Sequence, residues 1–219
     1  MIFERDDAYD VSSVARMAFS WHDSSRAFTD AAEWFVRTTA LVGDRWNRPG
    51  LGEWDVRALV GHTSRSLLTV ELYLARPAAT VEVASAADYF RATRATAGAA
   101  VAARGREAGA ALGSDPEAAV AEIGARVSRL VRTLDGTELV TTIVGGMRLG
   151  DYLPTRAFEL AVHTADLASA LDVPLDIPAT AAMQALELVS ELAVTGDLAG
   201  PLLLAATGRQ GLPAGYSVL

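Results

Sequence analysis

The chain has 219 residues, a formal net charge of -8 at pH 7 and a sequence pI near 4.9. This acidic balance argues against nucleic acid as the main partner, because phosphate binding needs a positive surface. Hydrophobic residues make up 51% and charged residues 21%, so the chain can bury a core and disorder is not expected. No run of 18 or more apolar residues occurs, and the first residues lack the pattern of a secretory signal. We therefore expect neither a membrane span nor a secretory signal.

Two residue types are absent from the sequence. It contains no cysteine and no lysine, so all 19 basic residues are arginine. A disulfide framework, a thiolate metal site, a cysteine nucleophile and a Schiff base on the protein are therefore excluded. Any thiol chemistry must use a thiol that is supplied by another molecule.

The first part of the chain predicts an N-terminal extension, because residues 1–26 are polar and poorly patterned. His22 lies within it, and we interpret it as an exposed loop histidine. Apolar residues then recur at helical spacing and predict a first helix from about Thr29 to Leu41, capped by Thr29 or Asp30.

The loop that follows, residues 43–54, is rich in glycine, tryptophan and arginine, which is unusual for a simple connector. Loops that carry large aromatic and cationic groups often line sites. Trp46 and Trp54 can equally close the end of a helical core, so the sequence leaves both interpretations open. A second helix is predicted from about Asp55 to Ala75, where a proline follows closely.

Two further helices are predicted in the middle of the chain. Residues 85–112 are alanine-rich and predict a third helix. Ser114–Glu117 provides the capping residue, proline and glutamate that start a fourth helix, which ends near Leu134. The β-branched segment 137–149 is compatible with a short hairpin, because Gly145-Gly146 is a turn signal.

The C-terminal part of the chain predicts two more helices and a tail. Asp151 caps a helix that runs to about Leu171, and Pro178 begins another that runs to about Val194. Residues 200–219 are apolar and then rich in turn residues, so we expect a tail that packs on the helices.

Three side chains have the chemistry of a metal site. Glu159 and His163 lie four residues apart, so on a helix both occupy one face. His62 lies near the start of the predicted second helix, which antiparallel packing can bring alongside them. Two imidazoles and one carboxylate form an open site that suits zinc, and also nickel, cobalt, iron or manganese. Asp166, one turn after His163, can orient the free ring nitrogen of that histidine.

A glutamate and a histidine at this spacing also arise by chance on the solvated face of a helix, and this interpretation stays open. The His-Glu-x-x-His motif of zinc proteases is absent, so ordinary metalloprotease chemistry is disfavoured. The sequence also lacks a Gly-x-Ser-x-Gly elbow, a phosphate-binding loop and a Rossmann fingerprint.

Two sequence elements together resemble the DinB-like superfamily and, more narrowly, the N-terminal domain of the mycothiol-dependent maleylpyruvate isomerase family. The first is Trp-x-x-x-x-Leu-x-x-His, here Trp54 to His62, and the second is Arg-x-x-Glu-x-x-x-His-x-x-Asp, here Arg156 to Asp166. The resemblance implies an all-α fold in which residues 27–172 form a DinB-like four-helix metal-binding bundle. Residues 173–219 would then be a short C-terminal appendage, with a helix and a tail.

The resemblance also implies a cytoplasmic actinobacterial enzyme that uses mycothiol, a low-molecular-weight thiol, together with a divalent metal. In such an enzyme the metal holds the thiolate, which adds to an electrophilic carbon, and an arginine steadies the substrate carboxylate or its enolate. The implied site residues are His62, Glu159 and His163 for the metal, Trp54 and Asp166 for the cofactor, and Arg57, Arg156 and Arg209 for catalysis.

The leading hypothesis from the sequence is therefore a metal-dependent, mycothiol-using isomerase or S-transferase that acts on a small electrophile. The alternatives are a non-catalytic bundle that binds a metal or a partner, and a metal-dependent hydrolase in which the ion activates water. The sequence leaves the metal, the substrate and the formation of a homodimer open.

Overall fold

The structure of the protein, a computed structural model, describes residues 19–94 and 99–219. The described part is mostly helical with one two-stranded antiparallel hairpin, which confirms the predicted all-α fold class and the hairpin. The helices are α1 (Trp21–Thr39), α2 (Val56–Leu74), α3 (Ala86–Thr93), α4 (Ala99–Ala111), α5 (Pro116–Val131), α6 (Leu149–Leu171), α7 (Ala179–Thr195) and α8 (Ala199–Ala206). The strands are β1 (Leu139–Thr142) and β2 (Gly145–Arg148), and a short 3₁₀ helix covers Arg45–Asn47.

Helix α6 lies at the centre of the packing and contacts α1, α2, α3 and α7, while α5 packs on α1 and α2. Its Leu153, Leu160 and Leu167 recur every seven residues and are fully buried, which keeps one face of the helix toward the core. Phe28 and Phe35 of α1 are buried on the opposite side of this core. Full burial of side chains of this size stabilises the fold by about 1.5–3 kcal/mol each relative to exposure.

None of the described helices is long and apolar enough to cross a membrane.

Helix α1 begins at Trp21, so the predicted start at Thr29 is wrong. Ser20 caps the helix by accepting a hydrogen bond from the Asp23 amide at 3.1 Å. Thr29 instead lies inside the helix, where its hydroxyl donates to the carbonyl of Ser25. His22 is exposed as expected, but it lies in the first turn of α1 and not in a loop. Residues 1–18 of the predicted extension lie outside the described residues.

A single helix is predicted for the alanine-rich segment 85–112, and the structure describes two, α3 and α4, on either side of residues 95–98. Ser85 caps α3 by accepting from the Asp88 amide, and α3 packs against α6 and α7. Helix α4 packs against α2 instead, so the two helices serve different parts of the core. Residues 95–98 between them lie outside the described residues.

The C-terminal region contains α7, which starts directly after Pro178, and α8, which the sequence did not predict. The tail after α8 packs on the helices as expected. Val218 is buried, and the Tyr216 hydroxyl donates to the carbonyl of Leu198 at 3.0 Å. Helix α6 begins at Leu149, slightly before the predicted cap Asp151, which lies in its first turn.

Helices α2 and α4 cross at two glycines whose backbones touch. A Cβ atom on Gly61 would lie 2.1 Å from the amide nitrogen of Gly109, and one on Gly109 would lie 2.7 Å from the carbonyl oxygen of Arg57. Only residues without a side chain allow this approach. The crossing holds α4 against the part of α2 that carries His62.

We expect Gly61→Ala to lower the free energy of unfolding by about 1–3 kcal/mol, because the added methyl forces the two backbones apart. Urea denaturation measures this change. Gly211→Ala is the control, since nothing lies within 4 Å of a Cβ at that exposed position. The control should change the free energy of unfolding by less than about 0.5 kcal/mol. Equal denaturation midpoints for Gly61→Ala and the wild type would contradict the close crossing.

Candidate metal centre

The structure brings together the three side chains that the sequence selected as metal ligands. His62 comes from α2, whose start is fixed by Asp55, which accepts a hydrogen bond from the Ala58 amide at 2.8 Å. Glu159 and His163 come from α6. One potential ligand atom from each residue lies within 4.8 Å of the others, and all three residues are partly buried.

The two ligands on α6 are already in contact. His163 Nε2 lies 3.2 Å from Glu159 Oε2, and the two side chains are 16% and 20% exposed. The His62 and His163 rings have centroids 4.8 Å apart and are nearly perpendicular, with an interplanar angle of 86°. The group is therefore shielded from bulk water but still open to a small ligand.

The donor set fits a divalent ion. Among the described residues no hydrogen bond reaches His62, although its Nδ1 atom is buried. A buried polar atom without a partner costs about 1–3 kcal/mol, so an imidazole in this state favours a bound ligand nearby. Two imidazoles with one carboxylate are borderline donors that accept zinc and the other first-row ions named above.

Charge is distributed unevenly over the three groups. Burial, and then the nearby His163, lower the pKa of His62 to about 4, so this ring is neutral at pH 7. Burial opposes the charged form of His163, but its hydrogen bonds to Asp166 and Glu159 outweigh burial and raise its pKa to about 9. Burial also opposes ionised Glu159, yet the hydrogen bond from His163 and the charge of Arg156 lower its pKa to about 2. A metal ion would therefore replace a proton on His163.

Asp166 contacts the ring nitrogen of His163 that does not face Glu159. Its Oδ2 atom accepts a hydrogen bond from His163 Nδ1 at 3.0 Å, which leaves Nε2 directed at Glu159. A carboxylate in this position fixes the ring and its tautomer. Asp166 therefore lies where it can orient His163, and its implied role toward the cofactor stays a prediction.

Trp54 lies beside His62. The two ring centroids are 4.5 Å apart with an interplanar angle of 33°, and the indole N–H donates to the carbonyl of Ala102 at 3.0 Å. Trp54 is 9% exposed and does not line the neighbouring cavity. Trp54 therefore contacts His62, and the contact with the cofactor that the resemblance implies stays a prediction.

A cavity of about 860 Å³ opens beside the candidate ligands, with His62 and Glu159 in its wall. The sequence did not identify most of the other residues that line this cavity. Arg65 could have been predicted from its spacing, because it lies three residues after His62 and so occupies nearly the same face of the helix. The remaining cationic and aromatic wall residues come mainly from α2, α3, α4 and α6: Arg94, Arg104, Arg156, Tyr73, Tyr89 and Phe90.

Arg156 is a nearly buried cation in this wall, with 8% of the residue exposed. Its Nε atom donates to the Thr155 hydroxyl at 2.9 Å. The guanidinium carbon lies 4.8 Å from the ring centroid of Tyr152 and 5.2 Å from that of Tyr89. Within the described parts of the chain, no carboxylate forms an ion pair with it. A buried cation without a paired carboxylate favours an anionic ligand.

Arg57 and Arg209 do not reach the cavity. Arg57 lies five residues before His62, which places it about 140° away around α2. Its Nη1 atom donates to the carbonyls of Gly109 and Gly113, each at 3.1 Å, and so ties the end of α4 to α2. Arg209 is exposed in the turn after α8. Neither arginine lines the cavity, and the catalytic role that the sequence suggested for them stays a prediction.

Comparison with known proteins identifies one matching family. A sequence model described as the mycothiol maleylpyruvate isomerase N-terminal domain matches residues 21–168. The match contains both sequence elements and all three candidate ligands, and it ends before α7. No match was found among curated proteins or among solved structures.

We expect Asp166→Ala to weaken zinc binding by about 10–100-fold, because His163 loses the acceptor that fixes its ring. Competition with a chromophoric chelator measures the dissociation constant. Asp176→Ala is the matched control, since this aspartate is exposed in the linker after α6. Equal zinc affinities for the two variants would show that Asp166 does not position the ligand.

Proposed function

The chain belongs to the mycothiol maleylpyruvate isomerase N-terminal domain family of the DinB-like superfamily, and on that premise we propose a metal-dependent, mycothiol-using isomerase or S-transferase. Its substrate is a small electrophile, and it works in the cytoplasm. The observation that carries the proposal is the convergence of His62, Glu159 and His163 beside a cavity large enough for a thiol and a small substrate.

Zinc is the first choice of ion, and nickel, cobalt, iron and manganese also accept this donor set. When bound, the ion would supply an open position and lower the pKa of a coordinated thiol, so that the sulfur is deprotonated near neutral pH. The chain itself contains no cysteine, so the sulfur must belong to a separate molecule. A low-molecular-weight thiol fits that requirement.

The bond changes are those of a conjugate addition. The thiolate sulfur adds to the electrophilic carbon, a C–S bond forms, and the π electrons of the substrate double bond move to the oxygen of its conjugated carbonyl. In an isomerase the substrate rotates about the resulting single bond, the C–S bond breaks and the double bond re-forms with release of the thiolate. In a transferase a solvent proton is added at carbon and the thioether leaves as the product.

Arg156 is the residue that we assign to the developing negative charge. The rings of Tyr89 and Tyr152 lie against its guanidinium, and Nε is held by Thr155, so the group is fixed before a substrate arrives. Preorganised donors of this kind stabilise an oxyanion without reorganising during the reaction. The cavity wall carries four arginines and a single acidic side chain, Glu159, which also favours an anionic oxygen.

We expect the wild type to bind zinc and to accelerate conjugation of mycothiol with an α,β-unsaturated ketone that bears a carboxylate, and His163→Ala to lose both properties. Removal of this imidazole deletes one ligand and leaves Glu159 without its hydrogen-bond partner. Metal analysis after dialysis and product detection by absorbance are the two measurements, with circular dichroism to check the fold. His22→Ala is the control, since this histidine is exposed on α1.

Each outcome of that experiment separates the candidate functions. Metal content that is unchanged in His163→Ala removes the site. Metal binding with cleavage of the substrate by water, and no thioether product, contradicts the thiol chemistry and favours a hydrolase. Metal binding without conjugation or isomerisation of the electrophile favours a non-catalytic bundle.

We expect Arg156→Lys to lower kcat/KM for a carboxylate-bearing electrophile by about 10–100-fold, and much less for the corresponding neutral amide. Lysine keeps the charge but loses the planar fork and the stacking on the tyrosine rings, and a hydrogen bond to a charged group contributes about 1.5–3 kcal/mol. Arg129→Lys, on an exposed position of α5, is the control. An equal loss for the acid and the amide would contradict a contact with the substrate anion.

A further inference from the structure

The structure holds the two histidine ligands in different ways. His163 is fixed by the hydrogen bond from Nδ1 to Asp166 at 3.0 Å. His62 has no hydrogen bond to any described residue, and its Nδ1 atom is buried. Histidines that bind metals normally use the second ring nitrogen to fix the ring. His62 therefore needs another constraint if it is to meet an ion in one orientation.

Trp54 provides that constraint through its ring face. The centroid distance of 4.5 Å and the 33° tilt between the Trp54 and His62 rings correspond to an offset stack. Such a contact limits rotation of the imidazole about its side-chain bonds, because turning the ring would drive its edge into the indole. Trp54 also approaches His163, with centroids 6.5 Å apart, so its indole borders both histidines.

Helix α4 holds the indole of Trp54 in place. Its N–H donates to the Ala102 carbonyl at 3.0 Å, and a Cβ atom on Gly105 would lie 2.6 Å from Cε2 of the ring. Glycine at this position lets the helix backbone lie directly against the indole. Since α4 is pressed onto α2 at Gly61 and Gly109, the whole stack is anchored in the bundle.

We propose that Trp54 is a positioning residue that fixes the His62 imidazole by stacking, and that α4 sets the geometry of the metal centre through Ala102 and Gly105. The inference rests on the metal site of the proposed function. Trp54 does not line the cavity, and the Ala102 carbonyl already accepts its indole N–H. It therefore acts through His62 and not by touching the substrate.

The test measures metal coordination directly in purified full-length protein. Zinc dissociation constants are obtained by chelator competition, and the visible absorption spectrum of bound Co²⁺ reports the coordination geometry. In Trp54→Leu we expect zinc affinity to fall about 10–100-fold and the Co²⁺ spectrum to change. In Trp54→Phe the ring remains but the hydrogen bond is lost, so an intermediate affinity is expected.

Trp21→Leu is the matched control. Trp21 is also partly buried and also donates its indole N–H to a backbone carbonyl, that of Leu134 at 3.0 Å, but it does not line the cavity. It should lose thermal stability to a similar degree as Trp54→Leu while keeping the zinc affinity and Co²⁺ spectrum of the wild type. A purely structural role for Trp54 would make the two variants behave alike.

If Trp54→Leu does not fold, Gly105→Ala provides a second test of the positioning role of Trp54. This change leaves Trp54 in place but pushes its ring, so zinc affinity should fall and the Co²⁺ spectrum should change. Wild-type affinity and spectrum in the folded Trp54 and Gly105 variants would overturn this inference alone. A wild-type protein that binds neither ion would overturn the proposed function and the inference together.

Discussion

The packing register of α2 on α6 is the constraint on which the rest of the structure depends. His62 comes from one helix, and Glu159 and His163 come from the other, so only a fixed register brings their ligand atoms within 4.8 Å. Leu59 lies three residues before His62 on α2, and Leu160 directly follows Glu159 on α6. Both leucines are fully buried and fix the two helices in the core. A slip of one helical turn, about 5.4 Å, would separate the histidines. The apolar stripe of each helix therefore specifies the site as well as the fold.

The acidic surface and the cationic cavity have separate roles. The chain carries a net charge of -8, yet four arginines and only one acidic side chain line the cavity. Low-dielectric walls concentrate the field of such a group of like charges, which supports the anionic substrate proposed above although the whole protein is acidic. Arg156 is the most buried of the four, and its contacts with Tyr89 and Tyr152 hold it in place without an ion pair. A carboxylate partner from the protein would have neutralised the charge that the cavity presents.

The sequence predicted the local features of the site well because they depend on spacing along one helix. Residues three or four positions apart on a helix occupy the same face. His163 has this spacing from both Glu159 and Asp166, and in α6 it contacts both of them. Arg57 lay close to His62 in sequence but points away around α2, where it binds the end of α4. Proximity in sequence was a poor guide there because direction around the helix, and not distance along it, decides which side chains meet.

Features that depend on tertiary packing were harder to predict. Thr29 has the side chain of a helix cap, but Phe28 just before it is buried in the core, so α1 extends back to Trp21. The division of residues 85–112 between α3 and α4 follows from two different packing partners, which leave no mark in the local pattern. Arg94 and Arg104 reach the cavity only because these helices are placed around it. Their own sequence context is that of ordinary exposed arginines.

The cavity is lined by residues inside and outside the segment that matches the family. The three candidate metal ligands, Trp54 and Arg156 all lie within the matching segment 21–168. Part of the cavity wall comes from residues beyond that segment, namely Leu198, Ser217 and Leu219. The Arg94 guanidinium donates to the Val218 carbonyl at 2.7 Å and so joins the C-terminal tail to the wall built by the helices. Because the candidate ligands and this part of the wall lie in different segments of the chain, substitutions in the tail can change the shape of the cavity without disturbing the side chains that α2 and α6 hold together.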